Sequence, residues 1–144
     1  MLGGYKTYGK TMEGVRELCQ VALDGELAGA CMILLESVTE DVSQKIRDIV
    51  KIPVLGIAAG RKLDGQLLIS YDLLGLYEWP GNRKPKHFRV YQAGEAGLTP
   101  GEVVLEAYSW YIKAVKEGEF PGEENAHFLP ESERNEIEAY LKKL

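Results

Sequence analysis

Ala30-Cys31-Met32-Ile33-Leu34-Leu35 is an unbroken apolar run closed by Glu36, and its reading decides the fold. The run has strand length, and its lack of apolar–polar alternation predicts a strand covered on both faces, as in parallel sheets. Upstream, Thr11 can cap a helix in which Met12, Val15, Leu18, Cys19, Ala22 and Leu23 recur at three- and four-residue spacing, ending near Gly25. Downstream, Thr39 opens a second helix with Val42, Ile46, Ile49 and Val50 on one side, and Pro53-Val54-Leu55-Gly56-Ile57 reads as a second short strand. Helix, strand, helix, strand in this order implies a parallel sheet with right-handed crossovers, either doubly wound or part of a barrel.

Further along, a turn at Ala58-Ala59-Gly60 leads through Asp64-Gly65 into a third strand expected over residues 66–70 and ending near Tyr71-Asp72. That connection is too short for a regular crossover helix. Residues 79–97 are rich in Pro, Gly and charge and read as a long irregular loop with one helical turn. Thr99-Pro100-Gly101-Glu102 holds both capping-box residues with Pro at the first helical position, opening a helix that carries Val104, Ala107, Tyr108, Tyr111 and Val115. After a break at Phe120-Pro121-Gly122, the residues Ile137, Tyr140, Leu141 and Leu144 predict a terminal amphipathic helix. Three strands alone leave both sheet edges open and the strand faces short of cover.

The 144 residues suffice for one domain with a core, and 45% apolar with 27% charged residues is ordinary globular composition. Lys and Arg number 17 against 22 Asp and Glu, a net −5 that offers no broad attraction for nucleic acid or anionic membrane. No apolar stretch approaches the roughly 20 residues that cross a bilayer, and the N-terminus lacks a signal-peptide core, so the expected location is cytoplasmic. Cys19 and Cys31 sit among apolar residues and read as buried free thiols; with only His87 and His127 besides, no cluster has zinc spacing.

Chemistry in parallel α/β architectures gathers where strands end, which singles out Glu36. Its carboxylate follows six apolar residues, which would partly desolvate it and suit it to proton transfer near neutral pH. The alternative is an acid that merely ends a strand or pairs with a base. Gly56-Ile57-Ala58-Ala59-Gly60 lacks the Lys-Ser/Thr ending of a phosphate loop and reads as a tight strand exit. Asp64 and Asp72 read as turn or cap residues before cation ligands. The run Arg83, Lys84, Lys86, His87 and Arg89, with Phe88 and Tyr91, reads as a solvated loop or a contact with another chain rather than a phosphate site.

Several strings, in order, resemble ketopantoate hydroxymethyltransferase: Gly3-Gly4-Tyr5-Lys6 with Gly9-Lys10, Ala28-Gly29-Ala30 into Leu34-Leu35-Glu36, and Ile52-Pro53-Val54-Leu55-Gly56-Ile57-Ala58-Ala59-Gly60. Asp64-Gly65-Gln66, Asp72-Leu73-Leu74-Gly75-Leu76, Pro85-Lys86 with Tyr91, and Phe120-Pro121-Gly122-Glu123-Glu124 continue the series, which spans about residues 3 to 128. The resemblance is to the C-terminal half of that family. It implies a partial (β/α)8 TIM barrel: about the last three parallel strands with their helices, plus C-terminal helices. Residues 1–128 would form the half-barrel and residues 129–144 a C-terminal helical extension beyond the family's usual ending, whose helix could add an assembly contact.

The resemblance further implies transfer of a hydroxymethyl group from 5,10-methylenetetrahydrofolate, the cosubstrate, to 3-methyl-2-oxobutanoate, giving ketopantoate in pantothenate biosynthesis. A magnesium ion would stabilise the substrate enolate, with its ligands expected outside this chain, and a homo-oligomer is the expected assembly. The family's glutamate at the matching strand end, a proposed acid/base, carries over to Glu36; Ala58 stands where the family usually has Gly. Without the metal-binding half, the chain would need an N-terminal half-barrel chain for activity. The alternative is a non-catalytic half-barrel scaffold, or a truncated gene product, that self-associates.

Overall fold

The computed structural model describes residues 6–76, 86, 89–92 and 97–144. Helix α1 spans Met12–Leu27 and starts where Thr11 accepts a hydrogen bond from the Gly14 amide at 3.2 Å. Val15, Cys19 and Ala22 form its buried stripe. Strand β1 (Ile33–Glu36) follows, then α2 (Glu40–Ile49), β2 (Val54–Ile57) and the very short β3 (Gly65–Gln66). A helical turn, α3 (Ser70–Leu73), precedes the longer helices α4 (Pro100–Lys116) and α5 (Glu131–Leu141). The Thr99 and Glu102 side chains form the expected reciprocal capping box at the start of α4.

The sheet is parallel throughout, in the order β1-β2-β3, with Leu34 opposite Leu55 and Glu36 opposite Ile57. Residues in register share a face, so Ile33, Leu35 and Val54 lie on one side and Leu34, Glu36, Leu55 and Ile57 on the other. The first face meets the helices: Leu35 and Val54 join Val15, Cys19 and Ala22 of α1, and Val42 and Ile46 of α2, in one core. The same core takes in Leu129 together with Ile137 and Leu141 of α5, which packs on α1. The terminal amphipathic helix thus forms where its apolar spacing predicts, with Ile137 fully buried.

Three expectations are corrected. The apolar run is not covered on both faces: Met32 and Leu34 remain 51% and 52% exposed, at the β1 end of the sheet. Cys31, ahead of β1 and outside the sheet, is exposed, whereas Cys19 is buried. Its position inside the α1 stripe explains the difference.

The third strand does not extend over residues 66–70. Its last ladder bond runs from the Leu67 amide to the Gly56 carbonyl at 2.8 Å, and the Tyr111 hydroxyl claims the Gln66 carbonyl at 2.6 Å. With β2 ending at Ile57, the chain beyond Leu67 has no ladder to join and coils into α3, where the Asp72 and Leu73 amides both bond back to Ile69. Of the basic run, Arg83, Lys84, His87 and Phe88 lie outside the described residues. The Lys86 ammonium donates to the Ala126 carbonyl at 3.1 Å, and the Arg89 guanidinium lies 5.4 Å from the Trp110 ring centre. These two cations serve packing within the chain.

Candidate active site at the carboxyl end of the sheet

Glu36 is the last residue of β1, at the carboxyl end of the sheet and on the face turned away from α1 and α2. It is exposed rather than desolvated. The backbone turns sharply just beyond it. Ser37 has φ +53°, a left-handed conformation unusual for a residue with a Cβ, and its amide still bonds to the Ile57 carbonyl at 3.0 Å. Ser37 is therefore held by β2 on one edge, while its carbonyl accepts from the Tyr8 amide at 2.8 Å on the other.

The elements around this end are tied together closely. Thr39 caps α2 by position only; its hydroxyl instead donates to the Gly9 carbonyl at 3.0 Å, fastening the amino-terminal segment to the strand end. The Glu40 amide donates to the His127 carbonyl at 2.8 Å, which brings the carboxyl-terminal segment to the same place.

Glu40 itself is buried. Its carboxylate accepts three hydrogen bonds from Arg61: from the backbone amide at 2.8 Å, from Nε at 2.9 Å and from Nη2 at 2.7 Å. The Arg61 guanidinium, first among several causes, holds the Glu40 carboxyl below its ordinary value. The pair requires Gly60 between them, because a Cβ there would lie 2.9 Å from the Glu40 Cα, and φ is +93°. The loop after β2 is thus clamped to the start of α2, directly beside the end of β1.

Sequence reasoning found Glu36 and the strand exit but missed the clamp. Glu40 in the first turn of α2 reads as an acid suited to a helix start. Nothing local marks Arg61, 21 residues on, as its partner. Asp64 takes the structural role expected of it, accepting from the Val54 amide at 2.9 Å and from Arg47 Nε at 3.0 Å. Those two bonds, the amide first, hold its carboxyl below the ordinary range. Asp72 is buried in α3.

A profile of the family described as ketopantoate hydroxymethyltransferase matches residues 1–123. The chain belongs to this family. A 3-methyl-2-oxobutanoate hydroxymethyltransferase of Helicobacter pylori (strain Shi470) is 40% identical over 121 residues, which is 84% of this chain and 42% of the relative. The corresponding proteins of Burkholderia multivorans and Aliarcobacter butzleri are 39% and 41% identical, over 86% and 87% of this chain and 42% and 43% of their own lengths. The chain thus spans about two fifths of the length of these hydroxymethyltransferases. Helix α5 lies beyond the stretch that the hydroxymethyltransferase profile matches.

Among the described residues, no group of three or more His, Cys, Asp or Glu is placed to hold a metal ion. No described helix is long and apolar enough to cross a membrane.

Proposed function

We propose that this chain is the later part of a ketopantoate hydroxymethyltransferase barrel, in which Glu36 takes up the proton that leaves C3 of the substrate. The observation that carries this reading is the position of Glu36: the final residue of a parallel strand, on the sheet face opposite the helices. In a barrel that face is the interior, and the carboxyl ends of the strands ring the reacting groups. Leu34 and Leu55 on the same face are apolar, so completing the barrel would remove water from around the carboxylate. An oxygen of Glu36 then takes the proton from C3 of 3-methyl-2-oxobutanoate. The C–H electron pair moves into the C2–C3 bond and charge gathers on the keto oxygen; C3 then bonds to the one-carbon unit of 5,10-methylenetetrahydrofolate as that carbon's two bonds to the folate nitrogens break, water supplies the hydroxyl, and the nitrogens take up the C3 proton and a proton from water. The clamp of Glu40 on Arg61 holds the neighbouring loop in place around this strand end.

The remaining barrel strands, any magnesium ligands and the oligomeric assembly belong to polypeptide beyond these residues, and the cytoplasm is the compartment this chemistry fits. The test is deuterium exchange at C3 of 3-methyl-2-oxobutanoate, followed by proton NMR. The chain is mixed with the amino-terminal part of the Helicobacter pylori relative and magnesium. Exchange should appear in the mixture and fall by about 100-fold or more in Glu36→Gln. A mixture shown by sedimentation to form a complex, yet giving no exchange, would point to the scaffold reading instead.

A further inference from the structure

Resting on the reading above, we propose that Tyr8, Lys6 and Lys10 hold the one-carbon donor: the Tyr8 ring stacks on its p-aminobenzoyl ring, and the two ammonium groups take the two carboxylates of its glutamyl tail. A donor for C3 has to approach the carboxyl end of β1, where Glu36 stands. Tyr8 is fixed at that end. Its amide donates to the Ser37 carbonyl at 2.8 Å and its carbonyl accepts from the Thr39 amide at 3.2 Å, around the parallel bridge it forms with Val38. The backbone is thus held on both sides while the residue stays 49% exposed. An aromatic side chain on a pinned backbone, open to solvent, loses little freedom when another ring stacks on it.

Tyr8 is also shared by two hollows. It lines a groove of about 410 Å³ together with Glu36, and a recess of about 610 Å³ together with Lys6, Lys10, Glu13 and Glu17. A donor laid across the ring has its methylene carbon on the Glu36 side and its tail in the recess. Lys6 Nζ lies 5.9 Å from the Tyr8 ring centre, a weak contact that a carboxylate replaces at little cost. Among the described residues neither Lys6 nor Lys10 forms an ion pair, so both charges are available. Two cations match the two carboxylates of a single glutamyl residue. The recess is not basic overall, because Glu13 and Glu17 on α1 balance the lysines, and a polyphosphate or nucleic acid would be repelled by them. An aromatic platform beside two cations suits a ring that carries a short dicarboxylate tail.

The recess is lined by residues 6–17 of this chain, so the test uses the 144-residue chain itself, titrated with 5-formyltetrahydrofolate and followed by proton NMR. Stacking should shift the Tyr8 ring protons upfield in a saturable way. Tyr8→Ala should weaken binding about tenfold, Tyr8→Phe should restore it to within about twofold, and Lys6→Ala and Lys10→Ala should each weaken it about threefold. Added salt should reproduce the effect of the lysine variants. Lys116→Ala, exposed on α4, should leave the affinity unchanged. Circular dichroism checks that each variant is folded; if Tyr8→Ala is not, Tyr8→Leu keeps the bulk without the ring and takes its place. No binding, or binding that neither shifts the Tyr8 ring nor weakens in the Ala or Leu variant, overturns the proposal. Binding at Tyr8 without deuterium exchange at C3 of the oxo acid leaves the donor recess standing and sinks the Glu36 reading; exchange without such binding does the reverse.

Discussion

Replacing Glu40 by Ala removes the acceptor for three hydrogen bonds from Arg61 and the methylene groups that pack against Gly60. A hydrogen bond to a charged group contributes about 1.5–3 kcal/mol, but the three share one carboxylate and are not additive. The Arg61 side chain is 38% exposed, so water takes over much of its charge once Glu40 is gone, and the ion pair counts for less than a fully buried one. What remains is the loss of good hydrogen bonds, of the acceptor for the Arg61 amide and of some packing. Together these predict a loss of about 2 kcal/mol, or a fall in Tm of about 4–8 °C for a chain of this size. Thermal unfolding followed by circular dichroism measures it.

The pH dependence provides the sharper check. The Glu40 carboxyl is held below its ordinary value of 4.5, mainly by the hydrogen bonds from the Arg61 side chain. A depressed carboxyl contributes stability that is fully present above the unfolded-state value and is lost as pH falls through the folded-state value. The Tm difference between the native chain and Glu40→Gln should therefore stay constant from pH 7 to about 5.5 and shrink below the ordinary value of 4.5. A loss for Glu40→Ala of less than about 0.5 kcal/mol, or a difference that persists undiminished through the acid range, would refute the clamp as a contributor to stability.

Ala58 has φ +52°, a left-handed conformation that costs a residue with a Cβ roughly 1–2 kcal/mol, so Ala58→Gly should stabilise the chain despite the greater freedom of unfolded glycine. A net gain of about 0.5–1 kcal/mol in urea unfolding is expected, and a loss would show that the Ala58 methyl contributes packing worth more than the strain. Ile137 is fully buried among residues of α1 and α2, so Ile137→Ala should cost about 2–5 kcal/mol. A cost below about 1 kcal/mol would show that α5 is not held on the core as described.

The parts legible in the sequence are those governed by neighbours along the chain. Thr11 and the Thr99–Glu102 capping box mark helix starts because a capping bond spans three residues. The three- and four-residue spacing in α1, α2 and α5 shows which stripe is buried because helix geometry repeats locally. Glu36 stands out for the same reason, as the first polar residue after an apolar strand, and the ordered strings point to the family without any coordinates.

Tertiary structure decided everything that depends on how many layers and partners surround an element. An apolar run is the same string whether one face or two is covered, so only the packed chain shows Leu34 and Cys31 in solvent while Leu35 and Cys19 are buried. β3 stops at Gln66 because β2 offers no further ladder, which is a property of its neighbour. The pairing of Glu40 with Arg61 joins residues that share no local signal and meet only because parallel strands bring successive loops to one end of the sheet. That geometry also makes Glu36 a candidate for chemistry: the sequence places it after a strand, and the fold turns it onto an open face at the sheet's carboxyl edge.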